Sequence, residues 1–73
     1  MIPEMRPVTS SNIDAIGHDG TALFVRFKTK DGTPGAIYRY PEATRAHHDA
    51  MLSADSPGRY FFGNIRHLKA EKL

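Results

Sequence analysis

The chain has 73 residues, with ten Lys or Arg against eight Asp or Glu, and it contains no cysteine. This length fits a single domain, and the lack of cysteine excludes disulfides and thiolate chemistry. No apolar run approaches the roughly 18 residues of a membrane span, and the first seven residues lack the apolar core of a signal peptide. We therefore expect a cytoplasmic domain that makes no membrane contact. A formal net charge of +2 is too small to indicate nucleic-acid binding by itself.

The first ten residues contain Pro3 and Pro7, each of which removes a backbone hydrogen-bond donor. We expect a flexible arm over residues 1–10. This segment, with its apolar side chains, could add as an extended strand to a sheet edge of a partner. The alternative is a disordered terminus without a function. The candidate contact residues of the arm are Ile2, Met5, Arg6 and Val8.

The residues after the arm predict strands. Residues 13–18 form the first, and Asp19-Gly20 is a turn signal because glycine reaches positive φ at little steric cost. Residues 23–28 alternate clearly between apolar and other side chains, which predicts a second strand. A loop over residues 30–35 precedes a third strand at residues 36–40. Short connections favour antiparallel neighbours, so the sequence predicts a three-stranded meander.

Two short helices are expected after the sheet. Pro41 fits the first turn of a helix, and small residues recur at helical spacing between positions 43 and 54. Ser56-Pro57 places an N-cap before a first-turn proline, which predicts a second helix from about Pro57 to Leu68. The buried stripe of the second helix is then Phe61, Ile65 and Leu68.

The fold class that we predict is α+β, with a three-stranded antiparallel β-meander packed against two short helices and a flexible N-terminal arm. The arm covers residues 1–10, the single domain covers residues 11–69, and a C-terminal tail covers residues 70–73.

Side chains suited to catalysis lack the neighbours that they would need. The four histidines are the only groups that titrate near neutral pH, and no second histidine follows any of them at i+4. Ser10 and Ser11 have no identifiable base. We therefore expect no catalytic residue, no metal site and no cofactor, and a protein that is not an enzyme. The histidines are His18, His47, His48 and His67.

The third strand contains Tyr38-Arg39-Tyr40, and strand alternation puts both tyrosines on one face and Arg39 on the other. The tyrosines either stack on a partner or pack in the core, and both interpretations are open here. Arg39 would lie beside Arg26 on the open face, with Phe24 among them. This strip could bind an anionic partner, or it could be an ordinary solvated face.

On the second helix, Arg59, Phe62 and Arg66 fall within about 80° of one another at the 100° turn per residue of an α-helix. This flank lies beside the buried stripe and is basic with an aromatic side chain in its middle. It could contact phosphates or an acidic protein surface. The alternative is a charged outer helix face, for which an exposed phenylalanine has no folding benefit.

Several short motifs occur in an order that resembles the KTSC domain family over roughly residues 10–68. The family takes its name from a C-terminal extension of some lysyl-tRNA synthetases and also occurs as small free-standing proteins of bacteria and phages. The resemblance implies a small domain with a central tyrosine-x-tyrosine motif and a suspected role in RNA binding. The matching motifs are Ser10-Ser11-Asn12-Ile13, Ile16-Gly17-His18-Asp19, Leu23-Phe24-Val25-Arg26-Phe27, Tyr38-Arg39-Tyr40, Ala54-Asp55-Ser56-Pro57-Gly58-Arg59-Tyr60-Phe61 and Ile65-Arg66.

The whole chain also resembles a small phage-encoded regulator that binds bacterial RNA polymerase. This resemblance implies a monomer in the host bacterial cytoplasm that inhibits transcription initiation and promotes antitermination by occupancy, without catalysis. The partner would be bacterial RNA polymerase, with RNA near the polymerase as a further contact. The alternative is an RNA-binding module related to the lysyl-tRNA synthetase extension.

Overall fold

The computed structural model describes residues 2–73, so Met1 of the predicted arm lies outside the described residues. The described chain forms one antiparallel sheet with the strand order β1-β2-β3-β4-β5 and two helices. None of the helices in this range is long and apolar enough to span a membrane. The elements in chain order are β1 (Arg6–Pro7), β2 (Ile13–His18), β3 (Leu23–Lys28), β4 (Pro34–Tyr40), α1 (Arg45–Ser53), α2 (Pro57–Asn64) and β5 (Glu71–Lys72).

The predicted three-stranded meander is wrong, although the α+β class is right. Each terminal segment adds a strand to one edge of the sheet: β1 pairs with β2, and β5 pairs with β4. Both added strands have two residues, which is too short for a detectable apolar alternation. Pro7 had favoured a flexible arm, but an edge strand tolerates a residue without an N–H group.

The turn between β2 and β3 is held as its sequence predicts. Gly20 has a φ of 99°, a conformation that favours glycine. Asp19 Oδ1 accepts hydrogen bonds from the backbone N–H groups of Thr21 and Ala22, each at 2.8 Å. These bonds stabilise the carboxylate and lower the pKa of Asp19 to about 2.

The N-terminal segment also covers part of the sheet face that points away from the helices, which we call the outer face. Gly17 lies opposite Phe24 in the β2–β3 register, and both belong to this face. A Cβ atom at Gly17 would lie 2.5 Å from the carbonyl oxygen of Glu4 and 2.9 Å from Met5 Sδ. The segment therefore packs directly on Gly17, and Phe24 beside it is only 3% exposed.

The core lies between the other sheet face and the two helices. Alternate residues of the central strands supply most of it, and the helix region supplies Ala43, Met51 and Ile65. Helix α1 begins at Arg45 and not at Pro41, because Thr44 caps it through a reciprocal pair of hydrogen bonds with His47. The buried core side chains are Ile13, Ile16, Leu23, Val25, Tyr40, Ala43, Met51 and Ile65.

The contact at Gly17 leads to a stability prediction. We expect Gly17→Ala to lower the free energy of unfolding by about 1–3 kcal/mol, because the new methyl group displaces the N-terminal segment. Gly63→Ala is the matched control, since a Cβ there meets no atom within 4 Å. This control should raise stability by about 0.5–1 kcal/mol, as alanine does in a helix. Urea denaturation measures the free energy of unfolding of both variants. If Gly17→Ala is as stable as wild type, the contact is contradicted.

Candidate binding surface on the second helix

Helix α2 is fixed at its start by Ser56, whose Oγ accepts a hydrogen bond from the backbone N–H of Arg59 at 3.3 Å. This start sets the rotation of the helix against the sheet. Phe61 points inward, with its ring centroid 5.3 Å from that of Phe27 and 5.7 Å from that of Tyr40. The next residue, Phe62, points outward and is 59% exposed.

Two arginines flank the exposed phenylalanine. The guanidinium carbon of Arg66 lies 4.9 Å from the centroid of the Phe62 ring, which is a cation–π contact. Arg59 is exposed on α2, one turn before Phe62. Arg66 lies just after the helix, which ends at Asn64 and not at Leu68 as predicted. Within residues 2–73, neither arginine lies within salt-bridge distance of a carboxylate. We call Arg59, Phe62 and Arg66 the α2 face, and its positive charge is available to a partner.

A groove of about 670 Å³ runs beside the α2 face, between the N-terminal segment and the start of α2. Lys28 lies in it and donates a hydrogen bond from Nζ to the carbonyl oxygen of Ser10 at 2.6 Å. The groove combines cations and hydroxyl groups with one carboxylate, so it suits a polar ligand with negative charge. Its lining residues are Val8, Thr9, Ser10, Ser11, Asn12, Lys28, Asp55, Ser56, Gly58, Arg59 and Phe62.

A smaller apolar pocket of about 120 Å³ lies next to Phe62. The rings of Phe27 and Phe61 and the side chain of Ile13 line it. Such a pocket has the size and chemistry to take one apolar side chain of a protein partner. The α2 face therefore combines an aromatic anchor with unpaired arginines.

The predicted basic strip on the sheet lies apart from the α2 face. Arg39 donates to Glu71 Oε1 at 2.7 Å, and Arg26 lies 3.8 Å from Asp14 Oδ2. Phe24, expected to be exposed between them, is buried. The two arginines of the strip are thus neutralised by carboxylates of the same chain.

The four candidate residues of the arm are dispersed by the structure. Ile2 is 45% exposed, and Arg6 is exposed in β1. Met5 packs at Gly17, and Val8 is half-buried against the core and also lines the groove. The structure therefore brings Val8 together with Arg59 and Phe62, and it separates them from the other three.

The two tyrosines of the central strand pack in the core, as one of the two interpretations predicted. Tyr40 is 5% exposed, and burial raises the pKa of its hydroxyl group. Tyr38 contacts Phe27 edge to face, with a centroid distance of 5.5 Å. Tyr40 is therefore closed to a partner, and Tyr38 is half-buried against the core.

Three histidines make hydrogen bonds within the fold. His18 Nε2 lies 3.0 Å from the carbonyl oxygen of Ala43, and His47 Nδ1 accepts from the N–H of the helix cap. His48 is buried, with Nδ1 3.0 Å from Asp49 Oδ1, and this hydrogen bond lowers the pKa of Asp49. No group of three metal-ligating side chains occurs among the described residues.

Sequence reasoning missed the groove and the pairing of Glu71 with Arg39. The groove forms where residues 8–12 meet residues 55–62, and no local pattern connects these segments. The Glu71 contact depends on β5, which is too short to be recognised. One signal was available, because residues 56–70 contain no acidic residue, which marks α2 as a basic region.

Comparison with known proteins defines the class of this small α+β domain. Residues 9–68 match the family model of the KTSC domain. A protein of Tsukamurella paurometabola is 39% identical over 64 residues, which span 85% of this chain and 88% of the relative. The crystal structure of a KTSC domain protein from Yersinia pestis superimposes with a TM-score of 0.80 at 32% identity, covering 96% of each chain. The chain belongs to the KTSC domain family, as the sequence motifs predicted.

The adjacent phenylalanines of α2 give a direct test of this geometry. We expect Phe61→Ala to lower the free energy of unfolding by about 3 kcal/mol, because it removes a ring packed on Phe27 and Tyr40. Phe62→Ala should change it by no more than about 0.5 kcal/mol, since the ring is exposed. Urea denaturation of both variants measures the difference, and equal losses would show that the helix is rotated differently.

Proposed function

We propose that this protein is a non-catalytic regulator that docks on a protein partner through the α2 face. The observation that carries the proposal is the exposed ring of Phe62, which lies between two unpaired arginines and beside an apolar pocket. Aromatic and arginine side chains are enriched at protein interfaces and in the hot spots that dominate their binding energy. The cation–π contact with Arg66 covers part of the ring, and the ring still remains 59% exposed.

The partner that we propose is bacterial RNA polymerase. The support is the resemblance of the whole chain to a small phage-encoded regulator of that enzyme, together with the bacterial origin of both relatives described above. Binding would act by occupancy, inhibiting transcription initiation and promoting read-through of terminators. An acidic surface of the polymerase beside an apolar side chain would complement the α2 face.

RNA is the second candidate partner, and the groove favours it. Lys28 and Arg59 line the groove, and Phe62 lies at its rim. Cations that follow a phosphate backbone, beside an aromatic ring on which a base can stack, are the usual features of single-strand binding. This activity would agree with the role suspected for the family.

The test is capture of purified bacterial RNA polymerase by the tagged chain. Wild type should retain the polymerase, whereas Phe62→Ala and the double change Arg59→Ala, Arg66→Ala should each weaken retention at least about tenfold. Arg45→Ala is the matched control, because Arg45 is an exposed helical arginine that pairs with Asp49. The control should bind as wild type does.

Nuclease treatment separates the two candidates. Retention that survives nuclease and is lost with Phe62→Ala supports the polymerase proposal. Binding to labelled single-stranded RNA without any retention of nuclease-treated polymerase supports the RNA candidate, and its affinity should then fall steeply with salt. Retention that Phe62→Ala leaves unchanged would contradict a role for the α2 face. Transcription in vitro then measures whether the bound chain changes initiation and terminator read-through.

A further inference from the structure

The edge strand β5 covers only part of its neighbour. Strand β4 runs over Pro34–Tyr40, but β5 pairs with it at two positions, Tyr38 with Lys72 and Arg39 with Glu71. One further hydrogen bond joins the N–H of Leu73 to the carbonyl oxygen of Ile37 at 2.9 Å. Among the described residues, positions 34–36 of β4 have no strand partner on this edge.

The contacts that hold β5 are few and exposed. Glu71, Lys72 and Leu73 are all exposed, and Leu73 is 56% exposed. The main side-chain contact is the ion pair between Arg39 and Glu71, whose side chains are 32% and 53% exposed. An exposed ion pair contributes little to stability, and elements with few buried apolar contacts open at low free-energy cost. Strand β5 can therefore leave the sheet without unfolding the core.

We propose that the β4 edge, from Gly35 to Arg39, is an acceptor site for an extended segment of a protein partner, and that β5 occupies this site until the partner replaces it. A partner strand of five residues would pair along more of β4 than β5 does. The backbone hydrogen bonds of such added strands provide affinity, and the alternating side chains provide specificity.

The sequence of the partner segment follows from the register. Glu71 lies opposite Arg39 on the outer face, and Leu73, two residues later, lies opposite Ile37. Side chains two residues apart in a strand point to the same face. The site therefore selects a carboxylate opposite Arg39, whereas the position two residues later is exposed and accepts an apolar side chain without requiring one. Phe24, opposite Arg39 in the β3–β4 register, is buried beside it on the same face.

This site is independent of the α2 face, so each can fail without the other. The experiment uses the full-length ¹⁵N-labelled chain and a peptide with the sequence of residues 64–73 as the probe. Glu71→Lys should release β5 by placing two cations opposite each other. We expect this variant to bind the peptide about fivefold more tightly than wild type. The peptide should shift the amide signals of Ile37 and Arg39.

The matched control is Glu42→Lys, which makes the same change of charge at an exposed residue that makes no ion pair among the described residues. It should bind the peptide as wild type does. A second variant, Arg39→Glu, should reverse the preference, binding a Glu71→Lys peptide more tightly than the original peptide. This exchange of charges tests the register directly, even where Glu71→Lys is poorly folded.

Three results would overturn the proposal. The first is that wild type and Glu71→Lys bind the peptide with equal affinity, while Arg39→Glu binds the original and the Glu71→Lys peptide equally well. The second is a set of shifted amides away from β4. The third is a wild-type dimer in solution that Arg39→Glu dissociates, because the occupant of the edge would then be β5 of a second copy.

Discussion

The N-terminal segment can lie against the outer face of the sheet because position 17 has no side chain. A methyl group there would overlap the backbone of Glu4 and the sulfur of Met5. β1 pairs with β2 directly after this contact, and Phe24, opposite Gly17 in the register, is buried. At the opposite edge, Glu71 neutralises Arg39. Segments near both ends of the chain therefore contact the outer face, at Gly17 and at Arg39.

The other side of the sheet determines which surface remains for a partner. Phe27, Tyr40 and Phe61 pack edge to face between the sheet and α2, and they hold the helix in one rotation. That rotation directs Phe62 and the two arginines into solvent. The same aromatic packing that stabilises the core thus exposes Phe62, and Tyr40 of β4 belongs to the core.

The central part of the fold could be predicted from the sequence because its signals are local. Alternation gave the bounds of β3, the Asp19-Gly20 turn signal gave the end of β2, and Ser56 with Pro57 gave the start of α2. The failures lie where long-range contacts decide. Two-residue strands have no pattern of their own, and nothing near Phe24 in the sequence indicates that the N-terminal segment covers its face. For the candidate site, the helical spacing of Arg59, Phe62 and Arg66 was informative, whereas the groove beside them required the tertiary structure.

Residues near both ends of the chain contact the outer face of the sheet, whereas the α2 face stays open to a partner, and this arrangement can be measured in solution. The most direct measurement is a nuclear Overhauser spectrum of the free protein in solution. We predict cross-peaks between the ε-methyl group of Met5 and the α-protons of Gly17, because the sulfur of Met5 packs on this glycine. Sharp Met5 signals at the chemical shifts of a disordered chain, without cross-peaks to Gly17, would contradict this arrangement. They would show that the N-terminal segment is free and that the outer face is open.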